Sequence, residues 1–155
     1  MDPNLGGTHK MTSDEFFKIN KENFDLIFID GLHITDQVNR DIENSLRCLN
    51  PRGLILLHDC LPKKIWSQIV PCIYSKWNGD VWKSLVKLRT KVDINTYTII
   101  ADHGIGVIFR EKNKNILNLS SSKLNNLKFK DYYKNHNEYM NLLSVEKFFE
   151  LIKSH

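Results

Sequence analysis

Cysteine is scarce in this chain of 155 residues. Cys48, Cys60 and Cys72 make an odd count, and no CxxC spacing occurs. That excludes a disulfide framework or a zinc knuckle and fits a reducing, cytoplasmic environment. No apolar run is long enough to span a bilayer. The first residues, MDPNLGGTHK, lack the apolar stretch of a signal peptide. No internal repeat is present. Acidic charge is outnumbered, and the formal net charge is +4. From Arg110 to Lys134 seven Lys/Arg face only Glu111 and Asp131, but they are spread among Asn and Ser. That pattern reads as solvated surface and not as a nucleic-acid stripe. Neither a membrane nor a nucleic acid is an expected partner.

What remains is an ordinary globular composition, 41% hydrophobic and 26% charged. The length suits one domain with a real core. Residues 2–13 read as a loop, and Ser13 is placed to cap a short helix that begins SDEFF. DLIFID (25–30) is too short and too β-branched for a buried helix, and reads as a strand buried on both faces. A helix follows from about Asp36 to Leu49, with Val38, Ile42, Leu46 and Leu49 on one face. Thr35 or Asp36 caps its start, and Asn50-Pro51-Arg52-Gly53 stops it. LILLH (54–58) is a second buried strand. Strand, helix and strand at this spacing make a βαβ unit with parallel strands and a right-handed crossover.

Residues 63–77 and 80–91 read as two further helices, the second capped by Asp80, with Trp82, Leu85, Val86 and Leu88 as its apolar set. TYTIIA (96–101) and IGVIFR (105–110) are joined only by Asp102-His103-Gly104, which demands an antiparallel hairpin. From Glu111 onward the chain is polar and ends in the amphipathic SVEKFFELIK (144–153).

Both strands of the βαβ unit finish in an acid with a histidine close by: FDLIFIDGLH (24–33) and LILLHDC (54–60). Parallel neighbours have their C-terminal ends on one sheet edge, where open α/β sheets bind ligands. Asp30, His33, His58 and Asp59 therefore share a rim. Three readings fit them. The acids can be loop residues that accept backbone N–H bonds. Carboxylates with imidazole can hold a divalent metal, which would lower the pKa of a substrate hydroxyl. Alternatively, His33 or His58 can act as a metal-free general base. The spacing does not separate the last two. Trp77 and Trp82 can flank a substrate, though core packing is the better reading, and His103 can approach the site, though a plain turn residue is the better reading.

The stretch FDLIFIDGLHITDQVNRDIENSLRCLNPRGLILLHDC resembles the central segment of class I S-adenosylmethionine-dependent methyltransferases. It is most similar to the branch of small-molecule O-methyltransferases of the macrocin and cephalosporin-tailoring kind. IDGLH and LLHDC carry the likeness, while Thr35 stands for the usual aromatic and Arg52 for the first glycine of a PGG turn. WNGDVWK (77–83) and the hairpin around Asp102-His103-Gly104-Ile105-Gly106 resemble later parts of that family. The resemblance implies a Rossmann-like α/β fold, a mostly parallel sheet that ends in an antiparallel hairpin. It also implies that the first strand or strands and the donor-wrapping glycine-rich loop are missing, since Gly6-Gly7 follows no strand. Residues 1–110 would be a partial methyltransferase domain and 111–155 a C-terminal segment.

By the same resemblance, Asp2 matches the acid that holds the donor's ribose, and Ser13 and Asp14 fall where the adenine is contacted. Asp30 matches an acid at the donor and metal site. Asp30, His58 and Asp59 match metal ligands, for a divalent ion such as Mg. His33 and His58 are the candidate catalytic bases. The implied activity is S-adenosylmethionine-dependent O-methyl transfer to a small molecule or sugar. A silent half-domain that binds a partner chain is the alternative, with a homodimer through an exposed sheet edge as one form of it. A longer native chain is a third expectation.

Overall fold

The computed structural model describes residues 7–73 and 75–154. At its centre is a five-stranded sheet in the order β1-β2-β4-β3-β5. The strands are β1 (Phe24–Ile29), β2 (Leu49–Leu57), β3 (Asn95–Ile99), β4 (Ile105–Phe109) and β5 (Leu142–Leu143). β1 and β2 are parallel, β4 is antiparallel to both β2 and β3, and β5 is parallel to β3. Four strands thus run one way and only β4 opposes them. This is the mostly parallel, Rossmann-like arrangement with its hairpin inserted beside β2. The segment after Glu111 supplies β5 and three helices, so it completes this same sheet.

Helix α1 (Ser13–Ile19) starts one residue earlier than the sequence suggests. Thr12 is the N-cap, and Thr12 and Glu15 form a reciprocal capping box. The Ser13 hydroxyl is left to donate to Asp41 instead, at 2.6 Å. Helix α2 (Thr35–Arg47) buries Val38, Asp41, Ile42 and Ser45 against the sheet. Its N-cap is Ile34, which has no side chain to offer. The cap arrives from far along the chain: Asp80 Oδ1 accepts the Thr35 N–H at 2.8 Å, and the Thr35 hydroxyl donates to the Asp80 carbonyl at 2.9 Å. Asp80 therefore serves α2, while α4 (Trp82–Leu88) begins after Val81 without a side-chain cap.

Two further expectations are corrected. The helix expected over 63–77 is only α3 (Ile65–Gln68). Pro71 has no N–H to give and would clash with the carbonyl four residues back. That carbonyl, of Ser67, accepts the N–H groups of Asn78 and Gly79 instead, at 2.7 and 3.1 Å. The second strand begins at Leu49, and Asn50-Pro51-Arg52-Gly53 is looped out within it. The register jumps from Phe24↔Leu49 to Leu26↔Leu54, and Arg52 sits at φ 66°. This is a bulge, a local insertion that bends a strand without ending it.

The core is contributed by α2, α4, β2, β4 and the tyrosines of α6 (Phe129–Met140). Trp82 is wholly buried and its ring lies 4.9 Å from that of Tyr132. On the other face, Phe148, Leu151 and Ile152 of α7 (Val145–Ser154) cover Leu54, Leu56, Val107 and Phe109. Nothing described covers β1 there. Leu26 and Phe28 are 57% and 55% exposed, so β1 is not buried on both faces. Its apolar run reads as interior because sequence pattern reports side-chain character and not which neighbours are present.

Replacing Asp80 by Ala should lower stability by about 1–2 kcal/mol, the usual cost of a lost helix cap. Urea unfolding at neutral pH measures this, and Asp80→Asn should recover most of it. An unchanged midpoint in Asp80→Ala would show that α2 does not depend on this remote cap.

Candidate functional site

The β1–β2 register sets the rim. Ile29 lies beside Leu57, and the His58 N–H continues the ladder to the Ile29 carbonyl at 3.0 Å. Asp30 and His58 thus leave the sheet side by side. Asp59 then turns the chain at φ 61°, a left-handed conformation that Asp tolerates better than most residues. Its side chain is almost wholly buried, and Oδ1 accepts the Asn78 amide at 2.6 Å.

The structure brings together the four residues singled out in the sequence. His33 stands between the two acids, with Nε2 3.1 Å from Asp30 Oδ1 and Nδ1 3.1 Å from Asp59 Oδ2. His58 Nδ1 is 3.2 Å from the same Asp30 oxygen and 3.7 Å from Asp59 Oδ2. One ligand atom from each of Asp30, His33 and Asp59 can be enclosed within 4.8 Å. Two carboxylates and an imidazole are donors that suit Mg, Mn, Fe or Zn. By donor type and spacing these side chains fit a divalent cation.

Three further residues join them, Asp102, Trp77 and Asn78. Asp102, on the β3–β4 turn, places Oδ2 2.8 Å from His58 Nε2. Its neighbour His103 is half exposed, with its ring 6.5 Å from that of His58. Trp77, expected in the core, is only partly buried and stacks on His33 with ring centroids 5.9 Å apart. Its indole N–H donates to the Ile69 carbonyl at 2.6 Å. Asn78 is the third. For Asp102 the turn fixes only the β3–β4 pairing, and the sheet order, which sets β4 beside β2, brings its acid to the rim. Nothing in the sequence marks Asn78.

The loop that carries Trp77 and Asn78 is packed tightly against the site. Gly79, at φ 65°, lies so close to His33 that an added Cβ would sit 1.7 Å from the His33 carbonyl oxygen. Only glycine meets both demands. The Asp80 N–H donates to that carbonyl at 3.2 Å. Cys60 lies beneath the rim, and burial pushes its thiol far up, so it is no nucleophile.

The remaining expected contacts lie elsewhere. Ser13 and Asp14 sit at the start of α1 and are bonded to α2. Gln37 donates to both, at 3.2 and 3.3 Å, and Arg40 pairs with Asp14 at 3.4 Å. Asp2 lies outside the described residues. Among those residues no glycine-rich turn joins a strand to a helix ahead of β1. The described part of the chain therefore offers a polar rim with no glycine-rich loop beside it.

Burial opposes the charging of His58. Its hydrogen bond to Asp102 and the charges of Asp59, Asp30 and Asp102 outweigh that, and its pKa is raised above 6.5. Asp102 is correspondingly lowered by the same bond. A raised folded-state pKa stabilises the fold fully below the unfolded value near 6.5. That contribution is lost as pH rises through the folded value. An NMR titration should place His58 above 6.5, and Asp102→Ala should bring it down. A wild-type midpoint at or below 6.5 would contradict the geometry.

Residues 3–60 match a family model described as "Methyltransferase domain". The matched span contains the βαβ unit and both strand-end acids, Asp30 and Asp59. No curated protein matches the chain. Among the described residues no helix is long and apolar enough to cross a membrane. The match, joined to the strand order, supports a methyltransferase family.

Proposed function

We propose that the chain is a S-adenosylmethionine-dependent methyltransferase that transfers a methyl group to an oxygen of a small molecule or sugar. The observation that carries this reading is the convergence of Asp30, His33, His58 and Asp59 at one sheet edge, within the segment that matches a methyltransferase domain. When bound, S-adenosylmethionine supplies an electrophilic methyl group, and a divalent cation lowers the pKa of a nearby hydroxyl.

The protein's own share is positioning and proton removal. Asp30 and Asp59 would hold the cation together with one of the two histidines, His33 or His58. The histidine that is off the cation keeps a ring lone pair and is the candidate base for the acceptor's hydroxyl proton, and both rings are already oriented by carboxylates. Trp77 forms a flat wall beside His33, against which an acceptor ring can lie. Calorimetric titration of the chain with S-adenosylmethionine, with and without Mg, tests the reading. Micromolar binding that weakens at least tenfold in Asp30→Ala and Asp59→Ala is expected, about 1.4 kcal/mol or more. No heat at millimolar donor would overturn it for this chain alone.

A second reading is favoured by the outer edge of β1, which no other strand among the described residues pairs. In it the chain is a silent methyltransferase-like half-domain that works by binding a partner chain, such as a second copy. Phe16 and Phe17 of α1 join Phe24, Leu26, Ile27 and Phe28 in a shallow apolar hollow along that edge. The strand carries neither Lys nor Pro, the usual guards of an unpaired edge. Sedimentation equilibrium should show concentration-dependent dimers that Leu26→Lys disrupts. A strictly monomeric chain at high concentration would remove the homodimer form of this reading.

A further inference from the structure

We propose that Asp102 is a positioning residue: it holds the proton of neutral His58 on Nε2, so that Nδ1 joins Asp30 and Asp59 as a metal-ligand atom. The inference rests on reading the rim as a cation site; it places His58 on the cation, leaves His33 as the candidate base, and adds Asp102 behind the ligating ring.

A neutral imidazole carries one proton and one lone pair. The contact of 2.8 Å between His58 Nε2 and Asp102 Oδ2 is a hydrogen bond only if Nε2 bears the proton, because a carboxylate can only accept. The lone pair on Nδ1 then faces Asp30 Oδ1 at 3.2 Å and Asp59 Oδ2 at 3.7 Å. Nδ1 thus lies within 3.7 Å of two carboxylate oxygens. Three electron-rich atoms repel one another there unless positive charge lies among them, either a second proton on the ring or a cation. A divalent ion can take the place of that second proton, with all three atoms as ligands, while His33 faces the same two oxygens.

Asp102 is suited to the outer role because its turn is fastened to the strand-end loop. The Cys60 N–H donates to the Gly104 carbonyl at 2.9 Å, and the Leu61 N–H to the His103 carbonyl at 2.7 Å. Gly104, at φ 90°, approaches Leu61 so closely that an added Cβ would lie 2.4 Å from its side chain. The carboxylate is thus delivered by backbone geometry, although the residue is exposed. A carboxylate behind a ligating histidine fixes its tautomer and orients the ring, and losing one costs about 10–100-fold in metal affinity.

The test uses the full chain and Mn²⁺ alone. Calorimetry should show Asp102→Ala binding about 10–100-fold more weakly than wild type. Asp102→Asn keeps an oxygen that accepts the Nε2 proton and the residue type that tolerates the turn's left-handed backbone, so it should recover part of the loss. His103→Ala, on the same turn, should bind as wild type does. In the metal-free chain, ¹⁵N NMR above the His58 midpoint should show the proton on Nε2, and Asp102→Ala should mix the tautomers. A neutral ring protonated on Nδ1, or unchanged affinity in Asp102→Ala, overturns the role of Asp102 while leaving the cation site standing. Absence of Mn²⁺ binding by the wild-type chain overturns both.

Discussion

The site depends on one pairing, the parallel ladder between β1 and β2. Five residue pairs define its register, and the last, Ile29 with Leu57, fixes where both strands end. Because the strands are parallel, both deliver their next residues to the same edge. A slip by one residue would send Asp30 and His58 to opposite faces. The bulge at Asn50-Pro51-Arg52-Gly53 makes the register compatible with the apolar pattern of both strands. It absorbs the extra residues at the far end, and the Asn50 amide bonds Asp25 there at 2.8 Å. The irregularity lies away from the site and the regular ladder lies next to it.

The rim is then closed by segments far away in sequence. Residues 78–80 hold it from one side: Asn78 on Asp59, Gly79 against the His33 carbonyl, and Asp80 on the N-terminus of α2. The β3–β4 turn holds it from the other through Asp102. Each contact has a separate chemical cause, yet all bear on the same few atoms. Asp59 shows why they are needed. An ionised carboxylate this buried is costly unless hydrogen-bonded and paired, and Asn78 and His33 supply those partners. Removing either leaves a buried carboxylate with one partner fewer, so the residues that shape the site also support the local fold.

Much of this was legible in the sequence. The βαβ unit, the hairpin and the convergence of Asp30, His33, His58 and Asp59 followed from apolar runs and the topology of parallel strands. Periodicity failed where tertiary contacts decide. Helical pattern over 63–77 yielded to Pro71 and to the use of the Ser67 carbonyl by Asn78 and Gly79. Asp80 was read as the cap of the nearest helix, yet it caps α2, because a carboxylate serves whichever N–H groups the fold brings to it. Trp77 reads as core by composition, and only its stacking on His33 places it at the rim. The role of Asp102 needs the relation between a turn and a strand end that are 44 residues apart, a distance no local pattern spans.

The edge of β1 that no described strand pairs links the two functional readings, because that strand runs directly into Asp30. A strand that pairs with β1 in parallel places its own C-terminal end beside the site. One that pairs antiparallel places its N-terminal end there. Either way the newcomer brings unpaired backbone groups and its next side chains to within a few residues of Asp30 and His33. Binding at the edge and chemistry at the rim are therefore not independent on this sheet. The apolar hollow of Phe16, Phe17, Phe24, Leu26 and Phe28 supplies affinity without charge, while the rim supplies charge on a largely prearranged frame. A partner that buries the first necessarily changes the solvent access of the second, and with it the strength of every ion pair on the rim.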